Sequence, residues 1–110
     1  MVEGKAMNTH VAPVKEALEG FCRAYASDSD NWHVDVYPSG LMESVHALIV
    51  HPAFARMGRT ERLNRIWEFF KNHLAVEHQV NVTVTRAVTP DEYEEMQAAD
   101  RAARAMALAC

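Results

Sequence analysis

Four arginines, Arg56, Arg59, Arg62 and Arg65, gather where an apolar run passes Pro52 and Gly58 and turns into a helical pattern. Arg56 and Arg59 fall in the connection. Arg62 and Arg65 fall on the first helical turns, beside the stripe of Leu63, Trp67 and Phe70. Free N–H groups at a helix start favour an anion, and guanidinium offers paired donors to phosphate or carboxylate. The cluster therefore suits phosphate, nucleic acid or an acidic partner, and Gly58 would let such a ligand approach the backbone. The competing expectation is a solvated face on which Glu61 and Glu68 neutralise the arginines.

The six histidines are poorly spaced for metal binding. His46 and His51 would point to opposite faces of one strand, because their separation is odd. His73 and His78 span a helix end, and no HxH, HxxxH or CxxC pair supplies one edge of a site. His33, two residues from Asp35, is the best single candidate. Nucleophilic catalysis needs a base beside the nucleophile and a group that orients the base. No motif assembles one, and neither a GxSxG elbow nor a P-loop occurs, so the chain reads as non-enzymatic.

Composition bounds the remaining classes. The 110 residues fit one domain with its own core. A net charge of −4 opposes wrapping in nucleic acid but permits a local basic patch. Cys22 and Cys110 provide no disulfide framework, which suits a reducing compartment, and Cys22 lies on the apolar side of a helical pattern. No apolar run reaches membrane-spanning length and no signal core appears at the start, so the expectation is a cytoplasmic protein. Residues 1–10 are expected to be a flexible N-terminus and 11–110 a single domain.

The elements that must position these groups follow from periodicity. Val14, Ala17, Leu18, Phe21, Cys22 and Tyr25 mark a helix over 11–26, and the polar stretch 27–31 suits a turn. Residues 32–37 alternate as a half-buried strand and 45–51 read as a more buried one; their short link implies antiparallel pairing. Leu63, Ile66, Trp67, Phe70 and Leu74 define a helix over 60–74. Residues 79–88 alternate as a third strand, with Val80, Val82 and Val84 facing the helices. Thr89, Pro90 and Glu92 form a capping-box start to a last helix reaching about 108, with Tyr93, Met96, Ala103 and Met106 as its expected contacts. Asp91, Glu92, Glu94 and Glu95 suit the positive end of that helix. The order α-β-β-α-β-α predicts an α+β two-layer sandwich, a three-stranded mixed sheet with helices on one face. The opposite face would carry His33, Asp35, Tyr37, Asn81, Thr83 and Thr85.

An apolar strand leading to Phe54, then Gly58, Arg62 and the aromatic Trp67, and finally a valine-rich strand running into Thr89–Tyr93, together resemble the BolA-like family. The similarity covers 45–93, roughly half of the chain, and the element order extends it over nearly all. It implies a fold like that of type II KH domains and a regulatory role in transcription and stress response. It also implies DNA binding and partnership with monothiol glutaredoxins through a shared iron–sulfur cluster with histidine ligation. The family's Arg-His-Arg run reads Arg62, Leu63, Asn64 here, and no KH GxxG loop is found. The family's last-strand histidine falls on Asn81, so such a cluster would need His33, His46 or His78 instead, and no cofactor intrinsic to the chain is expected.

The leading reading is a small adaptor or regulator that binds a macromolecule, DNA included, through Arg56, Gly58, Arg59, Arg62 and Arg65. A glutaredoxin partner with non-standard ligation is the second reading. An enzyme using His33, Asp35 and Tyr37, or a homodimer through the open sheet face or the Ala-rich last helix, completes the set.

Overall fold

The computed structural model describes residues 9–25, 31–40 and 42–109. The expected flexible stretch before Thr9, most of the turn after Tyr25, and Cys110 lie outside them. In chain order the elements are α1 (Val11–Tyr25), β1 (His33–Pro38), β2 (Val45–Val50), a 3-10 turn (Pro52–Arg56), α2 (Arg59–His73), the short α3 (Val76–Gln79), β3 (Val82–Val88) and α4 (Pro90–Ala109). The fold is α+β with a three-stranded mixed sheet ordered β1-β2-β3. The β1–β2 pair is antiparallel and the β2–β3 pair parallel.

Hydrophobic burial explains the layering. α1 presents Val14, Ala17, Leu18, Phe21 and Cys22, and α2 presents Ile66 and Phe70, to the inward residues Val34, Val36, Val45, Ala47, Ile49 and Val82. Phe54, fully buried, fills the space under the 3-10 turn. Its ring lies 6.4 Å from that of Phe21. The β1–β2 connection reverses through Gly40, whose φ of +92° is accessible to glycine without a Cβ clash.

The third strand departs from the expected alternation. Gln79 belongs to α3, and Val80, expected to face the helices, is 72% exposed in the turn that follows. The strand begins at Val82, opposite Val45, but His46 then pairs with Val84. Thr83 is the extra residue of this bulge, and one added residue exchanges the two faces of a strand. Val84 therefore joins His46 and Tyr37 on the open face, while Thr85 turns inward beside Ala47. Asn81 lies just before the strand: its carbonyl accepts from Val45 N–H at 2.8 Å, while its side-chain amide donates to Glu77 O at 2.9 Å and closes the end of α3.

α4 opens with the expected capping box. Glu92 N–H donates to Thr89 Oγ1 at 3.1 Å, and Thr89 N–H donates to Glu92 Oε1 at 2.9 Å. Tyr93 and Met96 are half-buried, whereas every residue from Gln97 to Ala107 is exposed. Ala103 and Met106, expected as contacts, lie in this exposed half of the helix. No helix among the described residues is long and apolar enough to cross a membrane.

His51 ends β2 with no exposed surface. Its Nδ1 accepts from Ala53 N–H at 3.0 Å, which caps the 3-10 turn, and its Nε2–H donates to Cys22 O at 3.3 Å. Both nitrogens are thus engaged by a neutral ring. Desolvation holds the His51 pKa below its ordinary 6.5, only partly opposed by the bond to Cys22 O. Below about pH 6.5 the unfolded chain takes up a proton that the folded ring resists, so stability falls from there down to the folded pKa. Acid titration of thermal unfolding is expected to show this loss, and His51→Gln, though less stable, is expected to show a shallower slope as pH falls below about 6.5.

Candidate functional site

The four arginines that the sequence groups together separate in the structure. Arg62 shares a face of α2 with Ile66 and Phe70, the spacing of four that stacks side chains on a helix. It turns inward and is only 7% exposed. Its Nε donates to Phe54 O at 3.1 Å and Met57 O at 3.2 Å. Its Nη1 donates to Ala87 O at 2.9 Å and Glu92 Oε1 at 2.8 Å, and its Nη2 to Glu92 Oε2 at 3.3 Å. The guanidinium also lies 5.7 Å from the centre of the Phe54 ring. A side chain committed to five contacts within the protein is removed from the expected basic surface.

Arg65 pairs with Glu61 one turn away at 3.0 Å on the exposed side of α2, as the solvated-face expectation has it. Arg56 and Arg59 are exposed. Gly58 precedes α2 with φ of −73°, which any residue adopts, and a Cβ there would meet nothing within 4 Å. Neither conformation nor crowding requires glycine at that position.

What forms instead is a groove of about 750 Å³ between α2, the outer edge of β3 and the first turns of α4. Arg59 and Leu63 supply the α2 side, Thr85 to Val88 the floor, and Glu95, Met96 and Ala99 the α4 side. The Arg62–Glu92 pair closes one end. Arg86, on the exposed side of β3, also lines the groove and is a site residue that sequence reading left out. The bulge at Thr83 is what places it there, and no sequence signal marks that bulge. The walls are apolar at Leu63, Met96 and Ala99, and three arginines face two glutamates in a chain that is negative overall. Glu92 holds its carboxyl below the usual carboxylate range, first through the bond from Arg62 and then through Thr89 N–H.

The expected histidines occupy three different settings. His33 lies near Tyr93, with ring centres 6.1 Å apart, and His46 lies edge-on to Tyr37 at 5.6 Å. His78 meets His10, with their Nδ1 atoms 2.8 Å apart, and His10 Nε2–H donates to Glu43 Oε1 at 3.0 Å. That chain ties the start of α1 to the β1–β2 connection and to α3. Among the described residues no three His, Cys, Asp or Glu side chains converge to hold a metal. Asn81, which takes the place of the family's last-strand histidine, is engaged at the end of α3, and His33, His46 and His78 stand apart from one another. Asp35 and Tyr37 are exposed on the open sheet face with His33, and Thr83 is exposed at the bulge with its hydroxyl toward Val45 O. None of these lines the groove.

Comparison of the chain with protein-family models and with curated proteins gives no match.

Replacing Arg62 removes the side-chain donor shared by the Phe54, Met57 and Ala87 carbonyls and the Glu92 carboxylate. Because Glu92 is half exposed, the main loss is at the buried carbonyls, and Arg62→Leu is expected to cost about 2–3 kcal/mol. Thr89→Ala, which loses one cap, is expected to cost about 1 kcal/mol. Urea denaturation of the two variants checks both the values and their order.

Proposed function

We propose that this chain is a small non-enzymatic adaptor or regulator of the BolA-like, KH-like type, working in the cytoplasm by binding a segment of a protein partner. The observation that carries the reading is the groove beside β3, where apolar walls meet exposed arginines at the edge of a sheet. Ligand sites combine apolar lining with a few orienting polar groups, and Leu63, Met96, Arg59 and Arg86 supply both. The resemblance carried by Phe54, Gly58, Arg62, Trp67 and residues 89–93 supports the same class, and the three-stranded mixed sheet agrees with it.

The electrostatics favour protein over nucleic acid. Arg62 is neutralised internally by Glu92, and Glu95 faces the groove with Asp91 and Glu94 on the same first turns of α4. Phosphates would meet those carboxylates, whereas a peptide brings few charges that must be matched. A monothiol glutaredoxin is the partner that the resemblance names, and binding in the groove does not require a shared cluster.

Selection of random peptides on the immobilised full chain tests the reading, with single-stranded and duplex oligonucleotides as competitors. Selected peptides are expected to bind the parent and to lose at least tenfold in affinity on the double change Arg59→Glu and Arg86→Glu. Oligonucleotide binding that weakens steeply with salt, together with no selected peptide, would replace the protein-partner reading with a nucleic-acid one.

A further inference from the structure

The backbone at the floor of the groove narrows the kind of partner. Among the described residues β3 is an edge strand, paired with β2 on one side alone. Val88 O accepts from His51 N–H at 2.9 Å on the β2 side, while the preceding carbonyl, Ala87 O, accepts from Arg62 on the other side. In a strand the N–H and C=O of one residue point the same way, and the direction alternates with each residue. Arg86 and Val88 are therefore directed at β2, and Thr85 and Ala87 at the groove. Arg62 occupies the Ala87 carbonyl. The Thr85 N–H and C=O and the Ala87 N–H line the groove as a short row of main-chain hydrogen-bonding groups.

We propose that the groove takes its partner by strand addition: an extended peptide segment of about five residues pairs with Thr85 and Ala87 and continues the sheet beyond β3. The inference rests on the groove being the binding surface, and it specifies how the partner is read. Main-chain bonds give affinity without sequence preference, and alternate side chains supply selectivity. A peptide residue directed to the α2 side meets Leu63. The next one, directed to the open-face side, meets Arg86 and Met96. The preferred segment thus alternates an apolar residue with an acidic one. The Arg62–Glu92 pair sets where the added strand ends, because the last outward carbonyl is already taken.

Proline is tolerated on an edge strand where its missing N–H faces away from the ladder, which gives a direct test. The probe is a nine-residue synthetic peptide obtained by random selection on the full chain, used with a set of its singly N-methylated forms. Strand addition predicts that N-methylation weakens binding at least tenfold at the one peptide position whose N–H donates to the Thr85 carbonyl and leaves the two adjoining positions, whose N–H groups point away from β3, near the parent value. It also predicts that Thr85→Pro weakens binding at least tenfold in a protein that still unfolds cooperatively. Where Thr85→Pro does not fold, the N-methylated series alone decides. Tolerance of N-methylation at every position, with binding still lost on Arg59→Glu and Arg86→Glu, would overturn strand addition and leave the groove reading intact. Binding that survives those two charge reversals would overturn both.

Discussion

One guanidinium joins four elements of this chain. Arg62 rises from α2 and takes up the carbonyls that end the 3-10 turn, the carbonyl near the end of β3 and the carboxylate that starts α4. Each acceptor lies at or near the end of an element, and two of them, Phe54 O and the Glu92 carboxylate, also accept from a backbone N–H, of Met57 and Thr89 respectively. The five donors of arginine lie in one plane, and that geometry lets a single side chain satisfy so many termini at once. Lysine could not reproduce it, because an ammonium is a point charge without the fork. The direction in which α4 leaves the body follows from this contact. Glu92 is drawn to the α2 side and Tyr93 toward His33 on the other, so the helix straddles the edge of β3.

The groove is a consequence of that departure. Had α4 folded back across the open sheet face, the edge of β3 would have an apolar wall on the α2 side only, at Leu63. Held by Arg62, its first turns stand beside the strand and place Met96 and Ala99 opposite Leu63. Edge strands invite association with other chains, and proteins commonly blunt them with charge or cover them. Here the coverage is partial: Arg62 caps the Ala87 carbonyl, while Thr85 stays directed at an open groove. A basic residue that reads as a surface contact thus acts as an internal fixture beside the groove.

Much of the frame was legible in the sequence because the signals are local. The apolar repeats of α1 and α2, the alternation of 33–37 and the capping box of Thr89 and Glu92 each lie within one element. The missed features are those decided between elements. The bulge at Thr83 depends on the register between β2 and β3, and it moved Val84 outward and Thr85 inward although the residues alternate cleanly. Arg62 read as exposed because charge outweighed position; its spacing of four from Ile66, and of eight from Phe70, was a usable sign of burial. Asn81 read as a strand residue because the valines around it alternate, yet α3 extends far enough for its amide to cap Glu77 O. Arg86 gained its place only once the bulge had set the faces.

The account depends most on the outer edge of β3 being open, and residue-resolved amide hydrogen exchange on the free protein measures that directly. The amides of Arg86 and Val88, directed at β2, are predicted to be strongly protected, and that of Thr85 to exchange faster by orders of magnitude despite lying in the same strand. Protection of Thr85 equal to that of its neighbours would mean that the edge is already covered, and would contradict both the groove as a free binding surface and the strand proposed to fill it.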